Sequence, residues 1–267
     1  MISRRASVML LIVVTAGLAM IALFLPRIPQ PQEYHQFADQ RSFLGLPHMG
    51  DVVSNLAFAV IGLWGLVFLL RLTPEQIPRH FLDRRERWPY LFVFAGSLLT
   101  GIGSWYYHLH PDNASLVWDR LPMAIAFTSL VAAVIAERIS LRAGLRLLPI
   151  LLLIGLGSVL HWYMSEVRGV GDLRFYAAVQ LYSVLVLLIA LFMPSRYTRG
   201  SDLAVVAGLY ALAKVLEILD EQIFAMGHIV SGHTLKHLAA AVAAYWILRM
   251  LQKRRPLPGL SSASPGP

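Results

Sequence analysis

The sequence predicts an all-α membrane protein with eight spans, and three observations carry that expectation. First, 57% of the 267 residues are hydrophobic and only 14% are charged, against about a quarter charged in an ordinary soluble domain; the mean hydropathy is +0.61. Second, the apolar residues fall into eight runs, each near the roughly 20 residues that a helix needs to cross a hydrocarbon core about 30 Å thick. Third, there is no cysteine, which excludes a disulfide scaffold, thiolate metal sites and cysteine nucleophiles together.

The runs follow one another along the chain as Ser7–Pro26, Asp51–Leu72, Trp88–His108, Leu116–Ala136, Leu147–Met164, Leu173–Pro194, Leu203–Ile223 and His233–Leu251. The first follows a basic stretch, Met1–Ser7, as a signal peptide would. The segment after it, Pro26-Arg27-Ile28-Pro29, offers no small-residue cleavage site, so an uncleaved anchor over residues 1–27 is expected. The second opens with Asp51, Ser54 and Asn55, and Asp51 suits an N-terminal cap. The third ends in Gly101-Ile102-Gly103-Ser104-Trp105-Tyr106-Tyr107-His108, and the fourth carries Asp119 close to its start. The seventh contains Lys214, Glu217 and Asp220 at three-residue steps, drifting around one helical face. The reading preferred for Lys214 and Glu217 is an internal ion pair. The eighth begins at Ser231-Gly232-His233-Thr234-Leu235-Lys236-His237. Residues 28–253 thus form one transmembrane domain, and 254–267, rich in Pro, Ser and Gly, read as a disordered cytoplasmic tail.

The formal net charge of +8 is explained by topology and not by nucleic acid. With the N-terminus inside, 16 of the 23 Lys and Arg residues fall in inner segments and four (Arg27, Arg41, Arg168, Arg174) in outer loops; Arg120, Lys214 and Lys236 lie within spans. That bias fits eight spans with both termini cytoplasmic.

Eight of the nine histidines (all but His80) then fall at or near the outer face. His233 and His237, four apart, share a helical face, while Ser104 and His108 lie one turn apart at the end of the third span. The short loop Leu109–Ser115 must return Asp119 toward His108. Ionisable groups inside a membrane are costly and mark functional sites by default. Three imidazoles with an open fourth position are the ligand set of a catalytic zinc site. On the residues alone a second reading stays open, in which His108 and Asp119 pair with each other and Ser104 caps a helix carbonyl.

Taken together, Asp51-Val52-Val53-Ser54-Asn55, Ser104 followed by His108, Asp119 with Arg120-Leu121-Pro122, and Ser231-Gly232-His233-Thr234-Leu235-Lys236-His237 resemble the alkaline ceramidase family. That family belongs to the wider superfamily of seven-helix membrane hydrolases that includes the adiponectin receptors. The fragments occur in the right order from about Asp39 to Tyr245. The resemblance implies a seven-helix hydrolase core on spans two to eight, with the first span an added N-terminal helix. It implies one zinc ion on His108, His233 and His237, with Ser104 and Asp119 catalytic. The implied reaction is cleavage of the amide bond of ceramide or a related N-acyl sphingoid lipid drawn from the membrane. The family's eukaryotic members bind calcium through an acidic N-terminal segment. Here the corresponding loop offers only Glu33 and Asp39, with His48 and Asp51 nearer the helix, which puts Ca2+ regulation in doubt.

The alternative within the same superfamily is a non-hydrolytic, receptor-like lipid-binding protein. A transporter using Lys214, Glu217 and Asp220 as a proton path is disfavoured by the lack of paired broken helices. Short loops and the missing cysteines fit a bacterial plasma membrane, with the active site toward the outer face. The charge bias generates a direct expectation: a reporter fused after Lys253 reads cytoplasmic and one inserted at Asp112 reads external. An external C-terminus would mean that the spans are miscounted.

Overall fold

The computed structural model describes residues 3–258, and every regular element among them is a helix. The chain order is α1 (Arg4–Phe24), α2 (Met49–Ser54), α3 (Leu56–Arg71), α4 (Ile77–His80), α5 (Arg87–Leu109), α6 (Asn113–Arg138), α7 (Leu141–Val167), α8 (Arg174–Leu191), α9 (Asp202–Ile218), α10 (Asp220–Ala225) and α11 (Gly232–Lys253). Each of the eight apolar runs lies on one of these helices or on a pair of them. Two runs are interrupted. The second breaks at Asn55, whose Nδ2 donates to the Asp51 carbonyl at 2.7 Å; a side chain bonded to its own helix backbone competes with the helical ladder. The seventh breaks at Leu219, separating α9 from α10.

Five helices are long and apolar enough to cross a membrane: α1, α2 with α3, α6, α7 and α8. The chain is therefore a multi-pass membrane protein. Helix α9 is only 17 residues long, and α5 and α11 carry polar residues that lower their hydropathy, among them Ser104 and His108, and His233, Lys236 and His237.

Contacts between neighbouring helices close a ring: α3 packs on α5, α5 on α6, α6 on α8, α8 on α9, α9 on α11, and α11 back on α3. Helix α7 lies against α6 and α8, and α1 against α8. The ring encloses a cavity of about 360 Å³ to which α1 and α7 contribute no lining residue.

Small residues allow the ring to close this tightly, as is usual where helices meet in a membrane. The tightest approach lies beside the predicted site. A Cβ on Gly103 would stand 1.9 Å from the Trp118 carbonyl oxygen. That carbonyl is free because Pro122, one turn on, has no N–H to donate to it. The meeting of Gly103 with Trp118 sets Ser104 of α5 beside Asp119 of α6.

At the opposite end of the bundle, Arg254 is 1% exposed. Its guanidinium pairs with Glu137, donates from Nε to the His80 carbonyl at 2.8 Å and stacks 4.0 Å from the Tyr197 ring centre. Tyr197 in turn hydrogen-bonds Glu86, whose carboxyl burial pushes up to about 7. The ordered chain thus continues past the expected boundary: the Arg196–Thr198 segment pairs with Arg255 and Leu257. Residues 259–267 of the expected tail lie outside the described residues.

Because the Gly103 contact is backbone against backbone, Gly103→Ala should force α5 and α6 apart. It should cost about 1–3 kcal/mol, the range of an overpacked core, read as a lower melting temperature in detergent. Gly157→Ala, where an added Cβ meets nothing within 4 Å, should leave the melting temperature unchanged or raise it slightly.

Candidate metal centre

Three imidazoles converge where the last turn of α5 meets the first two turns of α11. Ring centroids are 4.9 Å apart for His108 and His233, 4.9 Å for His108 and His237, and 4.8 Å for His233 and His237. One ligand atom from each ring lies within 4.8 Å of the others, and all three residues are buried. This group can hold a metal ion.

The surrounding hydrogen bonds bear on that fit. Nδ1 of His108 is buried with no partner, an arrangement that costs free energy unless something outside the chain satisfies it. For His237 the tautomer follows from its neighbour. Ser54 donates its hydroxyl hydrogen to the Asp51 carbonyl at 2.9 Å, so its oxygen accepts from His237 Nδ1–H at 2.8 Å. The Nε2 lone pair of His237 is thereby left for a metal, the outer-sphere support typical of ligating histidines. At His233 the Lys236 ammonium stands 3.1 Å from Nε2. The lone pair there serves the ammonium or a metal, not both at once. The donor set, neutral and nitrogen-only, fits a transition metal or zinc.

Two other histidines near the cluster already have partners. His35 uses both nitrogens, on the Tyr107 hydroxyl and Asn113 Oδ1, each at 2.9 Å, and His48 Nδ1 meets the Asp39 carbonyl at 3.1 Å. The one-sided histidine pattern therefore combines one cluster with several structural contacts.

The start of α11 is held by two carboxylates. Asp51 accepts from Thr234 Oγ1 at 2.6 Å and Ser231 Oγ at 3.2 Å, so it ties α2 to α11 and is not a simple cap of its own helix. Asp220 accepts from the His233 backbone N–H at 2.7 Å and, through its other oxygen, from Ala38 N–H at 3.0 Å. The second bond anchors the loop that carries Phe37, whose ring centre lies 4.5 Å from that of His108 and 4.6 Å from that of His233. Phe37 roofs the cluster. The same loop is pinned by Arg41, whose guanidinium holds the Asp39 carboxyl below its usual range and reaches the Ile229 carbonyl at 2.8 Å.

Ser104 and Asp119 line the cavity together with His237. No hydrogen bond joins His108 to Asp119 among the described residues. From this polar end the walls become apolar, down to Leu130 on α6 and Ile247 on α11. Asp119 to Leu130 is eleven residues of helix, about 16 Å at 1.5 Å per residue, or half of a hydrocarbon core. The arrangement offers a hydrophobic slot of acyl-chain character with nitrogen ligands, a carboxylate and a hydroxyl at its head.

No family model and no curated protein matches the chain.

The structure brings together all five residues singled out in the sequence: His108, His233 and His237 in one cluster, and Ser104 and Asp119 on the adjoining wall. The Lys214–Glu217 pair forms as expected. Lys236, however, joins it from α11, its ammonium 2.9 Å from Glu217 Oε1. The sequence analysis missed this contact, the Phe37 roof and the Ser54 support of His237. Only Ser54 carried a signal, as part of the polar opening of the second span.

Metal analysis of purified protein should find about one ion per chain, largely lost in His108→Ala, His233→Ala or His237→Ala and retained in Asp119→Asn. Ser54→Ala should keep the fold but weaken metal affinity about 10- to 100-fold, the usual penalty for removing an outer-sphere partner. Undiminished affinity in Ser54→Ala would show that Nδ1 of His237 needs no fixed tautomer.

Proposed function

We propose that the chain is a zinc-dependent intramembrane amidohydrolase that cleaves the amide bond of ceramide-like N-acyl sphingoid lipids, as its resemblance to the alkaline ceramidase family implies. The observation that carries this reading is a cluster of three buried imidazoles, one of which, His237, lines an apolar cavity that also presents Ser104 and Asp119. In this reading the remaining helices α5, α9 and α11 also cross the membrane, giving eight spans. The site faces the outer side of a bacterial plasma membrane.

His108, His233 and His237 would hold the zinc, which when bound would polarise the amide carbonyl and lower the pKa of water in the site. The acyl chain lies along the apolar walls toward Leu130 and Ile247, which bring the amide to the polar end and exclude bulk water. Asp119 takes the proton of the attacking water as the carbon–oxygen bond forms. It then delivers that proton to the amine nitrogen as the carbon–nitrogen bond breaks. The products are a fatty acid and a free sphingoid amine. Ser104 donates a hydrogen bond to the carbonyl oxygen as negative charge builds on it. A covalent role for Ser104 is disfavoured: no hydrogen bond joins it to a histidine among the described residues, and the sequence has no G-x-S-x-G elbow.

Purified protein incubated with a panel of ceramides should release free fatty acid. Ser104→Ala should lower turnover about 10²–10³-fold, the effect of one lost oxyanion donor, and Asp119→Asn about 10²–10⁴-fold, both with metal content unchanged. An acyl-serine trapped in the parent protein would overturn this division of roles. No amide cleavage between pH 6 and 10 would instead favour the receptor-like reading.

A further inference from the structure

The polar end of the cavity carries more cations than anions. Arg120, Lys214 and Lys236 line it against Asp119 and Glu217. Glu217 answers both lysines. Arg120 has no carboxylate partner among the described residues, although it is only 5% exposed. Buried arginines are almost always paired, and a charge in a membrane interior is a functional candidate by default.

The surroundings of Arg120 hold it without neutralising it. Its Nη2 donates to Gln30 Oε1 at 2.7 Å, and its guanidinium carbon lies 4.2 Å from the Trp162 ring centre and 4.8 Å from that of Tyr176. Glu166, which bonds the same Gln30 and Trp162, does not pair with Arg120: its Oε1 accepts from Gln30 N–H at 2.8 Å and from Trp162 Nε1 at 3.2 Å. Nη1 of Arg120 is buried with no partner at all. Aromatic stacking explains how the guanidinium is positioned. It does not explain an unfilled donor on a residue that walls a lipid-sized cavity.

We infer that Arg120, with the Lys214–Lys236 pair opposite, forms an anion subsite for a carboxylate or phosphate on the lipid that occupies the cavity. A planar fork with a free edge matches those oxygens as a hydroxyl headgroup cannot. One negative charge would balance the excess positive charge of the lining. The inference deepens the amidohydrolase reading and rests on it for the reaction: among N-acyl lipids, those with an anionic headgroup are cleaved in preference to those with a neutral alcohol. The same chemistry has a second source, the carboxylate of the released fatty acid.

Two measurements on full-length, metal-loaded protein in neutral detergent test this. In the first, hexadecyl phosphate, palmitate and uncharged hexadecanol are titrated calorimetrically; none has an amide, so binding is read without turnover. The anionic amphiphiles should bind at least about 10-fold more tightly than the alcohol. Arg120→Gln should remove about 10- to 100-fold of that affinity, the size of a lost charge-assisted hydrogen bond, and leave the alcohol unchanged. In the second, acyl release from N-palmitoylglycine is compared with release from N-palmitoylethanolamine. A preference for the glycine conjugate that disappears in Arg120→Gln assigns the subsite to the headgroup. Equal rates, with palmitate inhibition weakened in the variant, assign it to the product.

Unchanged binding of both anionic amphiphiles in a folded, metal-replete Arg120→Gln overturns the inference. If that variant does not fold, Lys214→Gln replaces it, since the Lys214 side chain is half exposed and should tolerate substitution; undiminished anion affinity there overturns the inference equally. Anion-selective binding with no cleavage of any N-acyl lipid would defeat the amidohydrolase reading and leave the subsite standing. Cleavage of neutral ceramide with no anion preference would do the reverse.

Discussion

The first turn of α11 is the point on which the site depends, and it is held by buried hydrogen bonds to two carboxylates from other helices. Asp51 of α2 accepts from Ser231 and Thr234, and Asp220 of α10 accepts from the backbone N–H of His233. Buried groups have little water to fall back on, so each bond left unmade costs its desolvation penalty. The network therefore has one low-energy arrangement, and His233 and His237 inherit their positions from it. A Cβ on Gly232 would stand 2.3 Å from the Leu216 carbonyl oxygen, so the turn is also seated directly on α9. Ligands carried on helices locked in this way meet the precision that a three-nitrogen site requires, whereas loop-borne ligands would need ordering at the moment of binding.

The two ends of the bundle are built on the same logic with different outcomes. At the end away from the imidazoles, Arg254 pairs with Glu137, Tyr90 and Tyr197 hydrogen-bond Glu137 and Glu86 respectively, and aromatic rings cover the guanidinium on several sides. That cluster closes the helix ring, with Arg254 Nη2 and Glu86 Oε1 left buried without partners. At the imidazole end, Nδ1 of His108 and Nη1 of Arg120 are likewise buried without partners. The apolar cavity runs between the two. What differs between the ends is charge: Arg254 is paired with Glu137, whereas Arg120 has no carboxylate partner among the described residues.

Much of this organisation is local and so was readable in the sequence. Hydrophobic runs of bilayer length mark helices within a few residues, because the cost of exposing backbone to lipid is settled by each segment alone. The spacing of His233 and His237, and of Ser104 and His108, follows from helical periodicity. Neither the break at Asn55 nor the packing of Arg254 was legible. The first depends on a side chain choosing its own backbone, and the second on α4, α5, α6 and the Tyr197 segment meeting at one place.

The sequence by itself determined which residues are helical, which helix faces carry chemistry, and that three histidines, a serine and an aspartate are the groups to watch. Tertiary structure alone decided how those faces meet. Gly103 admits the Trp118 carbonyl and so brings the Ser104 turn of α5 alongside Asp119 of α6. Lys236 turns the Lys214–Glu217 pair into a triad across α9 and α11. Arg120 is held by Gln30 and Trp162, while Phe37 closes over the imidazoles from a loop some 70 residues upstream of His108. Each of these contacts joins segments far apart in the chain. Periodicity reports only which side of a helix is polar; the partner on that side is chosen when the helices pack, because only then do buried charges and unpaired donors compete for the same few neighbours.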